Sequence, residues 1–117
     1  MSDISEMIEE QLNEACAIEV MEWHEGIGAL KDEWHGKQGV YIMPKASWNP
    51  IHDLNQAWML TEKILGDSGE VAVSFQRGKY WAKLIRHYKI LACPYIGKES
   101  LAHALSEACL MAKRGKS

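Results

Sequence analysis

Apolar positions along the chain follow a helical period in three stretches and a strand period between them. Ile4, Met7, Ile8, Leu12, Ala15, Cys16 and Val20 predict a first helix over residues 3–21, capped by Ser2 or Asp3. Its outer face is Glu6, Glu9, Glu10, Asn13 and Glu14; acids suit the positive end of a helix dipole. A second helix is predicted over residues 50–65, with Asn49 as N-cap and Pro50 in the first turn. Leu54, Ala57, Trp58, Thr61, Ile64 and Leu65 form its inward stripe, so Trp58 is expected in the core. A third helix over residues 98–114 sets Leu101, Ala104, Leu105, Ala108, Cys109 and Ala112 on one face. Lys113 and Arg114 occupy its last turn, and Gly115–Ser117 read as a frayed tail.

Between the helices the pattern shortens. Gly26, Gly28, Gly36 and Gly39 interrupt any helix in residues 22–47. Trp23, Trp34 and the run Gly39–Met43 predict short strands there, with a turn near His35–Gln38. Residues 70–93 read as a meander. Val71, Val73 and Phe75 alternate, Gln76–Lys79 is a turn, Tyr80–Tyr88 a second strand and Ile90–Cys93 a third. Alternation places Trp81, Lys83, Ile85 and His87 on one face, and Tyr80, Ala82, Leu84, Arg86 and Tyr88 on the other. Neither face is wholly apolar, which implies a partly open side. The element order is α–β(β)–α–β–β–α. The predicted fold is α+β: one domain over residues 1–117, with three helices flanking an antiparallel sheet on both faces as an α-β-α sandwich.

Composition adds limits. A chain of 117 residues with 47% apolar content buries enough surface to fold without a disulfide or metal staple. Cys16, Cys93 and Cys109 are widely spaced and form no C-x-x-C pair, so neither a metal site nor any other cofactor is indicated. Free cysteines in apolar helical surroundings suit a reducing compartment. The first fourteen residues carry five acids and no base, the opposite of a secretory leader's start. No apolar run approaches the roughly 20 residues that span a bilayer. The expectation is a cytoplasmic protein without a membrane partner.

Three segments carry a resemblance. They are Ala15–Trp23 with its Val20-Met21-Glu22-Trp23 ending, Trp48–Lys63 with Pro50, Asp53, Ala57 and Trp58, and the Ala- and Leu-rich Leu101–Lys113. Together they resemble the phage ABA-sandwich domain family, small proteins of phages and prophages. That family carries Gly where this chain has Glu22. It also has a Pro at the start of the last helix, which the stretch from Gly97 to Leu101 lacks. The resemblance covers nearly the whole chain and implies the sandwich scaffold, a phage origin and the host cytoplasm. It implies no enzymatic activity.

No catalytic constellation stands out. His24, His35, His52, His87 and His103 include no H-x-x-x-H pair. His52 with Asp53 could act as an acid/base pair, but at a helix start the plainer reading is a cap. His24 and His35 each adjoin a Trp, where a ring contact is the plainer reading. No serine lies in a G-x-S-x-G turn and there is no phosphate-binding loop.

Charge is the informative feature. Residues 1–34 hold ten acids and one base, and residues 35–117 hold six acids and twelve bases. Residues 77–89 carry Arg77, Lys79, Lys83, Arg86 and Lys89 without an acid, interleaved with Tyr80, Trp81 and Tyr88. Such a hairpin can bind an anion through Arg77, Lys79 and Arg86, with Tyr80 or Tyr88 to stack on it. Alternatively the acidic first helix neutralises the basic hairpin, within the chain or between copies as a homo-oligomer. The net charge of −3 disfavours general nucleic-acid binding. The expected function is that of a phage accessory protein that binds a host protein or a small anionic ligand. Two alternatives remain: a single-stranded nucleic-acid or nucleotide binder using residues 77–89, and an enzyme using His52 with Asp53, or His24.

Overall fold

A computed structural model describes Ile4 and residues 7–94 and 97–115. The first helix starts later than its periodicity suggests: α1 spans Glu9–Ala15 because Ile8 adopts an extended conformation. The expected caps Ser2 and Asp3 lie outside the described residues. After Ala15 the helix widens into a π turn over Cys16–Val20, where the Met21 N–H donates to the Cys16 carbonyl at 3.1 Å. Glu22, at φ 63°, ends it.

The second helix, α2, spans Leu54–Leu65. Its cap is Asp53 and not Asn49. The Asp53 carboxylate accepts from the N–H groups of Asn55 at 2.9 Å and Gln56 at 3.3 Å. Asn49 instead closes a separate turn, its carbonyl accepting from the N–H groups of His52 and Asp53. The buried face of α2 is Ala57, Leu60, Thr61 and Leu65. Trp58, expected in the core, is 47% exposed, and Leu54 is 48% exposed. The stripe is turned so that Leu60 enters it while these two fall at its rim. The third helix, α3, spans Leu101–Arg114 behind a Ser100 cap. Ser100 Oγ accepts from the His103 N–H and donates to the Ile51 carbonyl, both at 3.1 Å. Residues 104–110 of α3 are buried without a break, the mark of a helix covered on all sides.

The class and the antiparallel pairing are those expected, with the strands divided between two sheets. The first sheet joins β1 (His24–Glu25), β2 (Glu33–His35) and β3 (Tyr41–Pro44) in that order. The expected turn between β2 and β3 lies at Lys37–Gly39. The second sheet joins β4 (Gly69–Gln76), β5 (Lys79–Arg86) and β6 (Lys89–Ala92). Its two turns, Arg77–Gly78 and His87–Tyr88, each have two residues with positive φ, the twist that tight hairpins require. His87 and Tyr88 therefore belong to a turn and not to the second strand, and Tyr88 is fully exposed.

Cross-strand register places Val71, Val73 and Phe75 opposite Leu84, Ala82 and Tyr80, all on one face. Helices α2 and α3 both lie against that face. The other face presents Glu70, Ala72, Ser74 and Gln76 to solvent, so the expected helix layer does not cover it there. The π turn and α1 pack on α3, giving helix behind helix in front of a sheet. A T-shaped Trp23–Trp48 pair at 4.7 Å joins the loop regions, and Trp48 Nε1 donates to the Asn13 carbonyl at 2.8 Å.

Candidate functional site: the groove between α2 and β4

The rim position of Leu54 and Trp58 creates a groove of about 430 Å³ where α2, β4 and α3 meet. Leu54 and Trp58 form one wall, Val71 and Val73 the other, and Leu105 the floor side toward α3, with Glu62 as its acid. Val73 is 48% exposed and Phe75, in a tilted ring contact with Tyr80 at 4.7 Å, is 60% exposed. These side chains form a contiguous apolar strip on a helix wall and a strand wall.

The strand wall is an edge. In the order β4-β5-β6, β4 has a partner on one side only among the described residues. All eight of its residues, Gly69–Gln76, pair with β5 without a bulge. Gln76 and Lys79 close the two-residue turn as a hydrogen-bonded pair, so bonding to β5 alternates back from Gln76. The main-chain groups of Val71, Val73 and Phe75 consequently point outward, to the unpaired side. No Lys, Pro or bulge guards this edge, and Glu70 is its only charge.

The five residues expected to bind an anion do not converge. Arg77 and Lys79 stand at one end of β5, and Arg86 and Tyr88 at the other. Seven residue steps at about 3.3 Å each separate Lys79 from Arg86 by roughly 23 Å. Lys79 pairs with Glu99 at 3.3 Å, Arg86 reaches the Ile64 carbonyl at 3.4 Å, and Tyr80 packs on Phe75. Two acids of the first helical stretch find partners elsewhere: Glu9 bonds His52 at 2.9 Å, and Glu19 holds Arg114 in a fork of 2.7 and 2.8 Å. That fork lowers the Glu19 carboxyl from its ordinary range.

The acid/base candidates are likewise separated. Asp53 is committed to the α2 cap, while His52 faces Glu9. His24 sets its ring nitrogens at 3.0 and 3.1 Å from the carbonyls of Glu25 and Gly36. His35, opposite His24 in the register, bonds Gly39 and Glu33. Burial, and then nearby Lys98, lower His103 from the usual histidine range. Burial also pushes the Cys109 thiol up to about 12 and raises Cys16, so neither is a ready nucleophile. No cluster of three potential metal ligands occurs among the described residues, nor is any described helix long and apolar enough to cross a membrane. Sequence reasoning missed the groove because it assigned Trp58 and Leu54 to the core. The available signal was Leu60, which competes with them for the inward face.

No protein-family model and no curated protein sequence matches the chain. Among solved structures the chain is similar to a phage protein from Bacillus cereus ATCC 14579, known at 2.0 Å resolution. The two are 15% identical and superpose with a TM-score of 0.66, over 96% of this chain and 98% of that one. At this identity the likeness is one of fold, and it extends over nearly the whole of both chains.

Proposed function

We propose that this is a small phage accessory protein of the host cytoplasm that acts by binding another protein chain, without chemistry of its own. The observation that carries the reading is the exposed strip Leu54, Trp58, Val73 and Phe75 around the α2–β4 groove. Large apolar groups grouped beside an unguarded edge strand are suited to receiving an extended segment: main-chain bonds supply the pairing and the groove takes alternate side chains. The whole-length fold likeness to a phage protein supports the phage assignment. The separation of the basic residues along β5, and the engagement of His24, His52 and Asp53, favour this reading over an anion site or an acid/base site.

A peptide-display selection against the immobilised protein tests it. The selection should enrich sequences with alternating apolar residues, and Trp58→Glu should abolish that enrichment. Because Trp58 is half exposed, Trp58→Glu should keep the parent's melting temperature within a few degrees. Equal enrichment on the parent and on a folded Trp58→Glu variant would sink the proposal.

A further inference from the structure

The edge strand is complementary to itself, and this points to the occupant of the site. We infer that a second copy of the chain pairs its β4 antiparallel to β4 about a two-fold axis at Val73, forming a continuous six-stranded sheet. The inference rests on reading the α2–β4 strip as a protein-binding surface.

Three observations support it. First, the outward main-chain groups belong to Val71, Val73 and Phe75. A two-fold axis at Val73 sets Val73 against its own mate and Val71 against Phe75 of the other copy. Both pairs join residues whose N–H and C=O groups face outward, so the ladder closes with every apolar side chain on the helix-covered face. Second, charge runs along the strand with one sign at each end. Asp67 and Glu70 stand at its start, and Arg77 follows directly on its end. Antiparallel pairing lays the acidic start of one copy beside the basic end of the other, twice. Glu70 falls opposite Gln76, next to the Arg77 turn, and no like charges meet. Third, the same rotation turns the α2 walls of both copies toward the axis. Leu54 and Trp58, exposed in one chain, then cover the new strand pair from the helix side.

The expected contact between copies thus uses the basic end of the hairpin. The acid it meets is at the start of β4, and the acids Glu9 and Glu19 of the first helix stay in their own chain.

Sedimentation velocity over a concentration series tests the inference on the full chain. The parent should show a concentration-dependent dimer. Val73→Lys sets two ammonium groups face to face at the axis and should weaken self-association at least about tenfold while leaving the fold intact. A second variant gives an independent reading. Val73→Cys in a Cys93→Ser background should form a disulfide-linked dimer on mild oxidation, because directly opposed residues of a bonded pair lie about 5.5 Å apart. A parent that stays monomeric at every concentration, a dimer that persists in folded Val73→Lys, or failure of Val73→Cys to cross-link within a dimer would each overturn it. The two readings fail separately. A monomeric parent that still enriches apolar peptides loses the second copy but keeps the binding surface. A dimer indifferent to Val73→Lys loses the pairing of copies at β4, whereas equal peptide enrichment on the parent and on folded Trp58→Glu loses the binding surface itself.

Discussion

At the scale of single residues, backbone conformation singles out Glu22. It ends the π turn at φ 63°, a left-handed conformation in which a Cβ is crowded by the following carbonyl. What Glu22 contributes in return is small: its carboxylate lies 3.8 Å from Lys63 Nζ, with 61% of its own side chain and 48% of that of Lys63 exposed. Glu22→Gly is therefore expected to raise the stability by about 1 kcal/mol, the relief of the left-handed strain less the entropy that Gly adds to the unfolded chain. A urea unfolding curve measures this, and an unchanged or lower midpoint would show that the Glu22 side chain has a role beyond the turn.

At the scale of elements, the extended segment around Lys98 is tied twice. Its main chain bridges Tyr80 of β5, with N–H to carbonyl distances of 2.7 and 2.9 Å. Its side chain reaches Glu107 of α3, Nζ to Oε2 at 2.8 Å, with only 12% and 3% of the two side chains exposed. A buried pair of this kind adds little net stability, because both ions lose their water, whereas taking away one partner withdraws the opposite charge against which the other is buried. Lys98→Met should accordingly cost about 3 kcal/mol, and the double change Lys98→Met with Glu107→Leu should recover most of that loss. Denaturant midpoints of the two variants and the parent decide the matter; a loss of less than about 1 kcal/mol in Lys98→Met would mean that the carboxylate is held by other donors.

At the scale of the whole molecule, two groups make the fold sensitive to acid. Burial and Lys98 lower His103, so the unfolded chain takes up a proton that the folded chain resists as pH falls through the ordinary histidine value of 6.5. That contribution is full above 6.5 and is lost on acidification. Glu19, lowered by Arg114, acts next: its stabilisation is present above the ordinary carboxyl value of 4.5 and is lost as pH falls further. Stability should thus be level from about pH 7 to 8 and decline in two stages below, each modest because both groups are partly in water. His103→Gln should remove the upper stage alone. Parallel pH profiles of unfolding for the parent and His103→Gln between pH 5 and 6.5 would contradict this assignment.

Local chemistry fixed the element types and most of their order from the sequence. Period-two alternation marked β4, two-residue spacing marked the Arg77–Gly78 turn, and Ala- and Leu-rich periodicity marked α3. These signals act between neighbours in the chain and need no tertiary partner. The position of the last strand boundary needed one: nothing in the residue types of His87 and Tyr88 calls for positive φ, which the pairing of β5 with β6 imposes on them. The phase of α2 needed one too. Leu54, Trp58 and Leu60 are all apolar, and only the packing of α2 on α3 and the sheet decides which of them faces inward. The candidate site follows from that decision and from strand order. A sequence states that β4 is a strand; its place at the edge, with unpaired main-chain groups beside an exposed Trp58, exists only once the three strands have taken their positions in space.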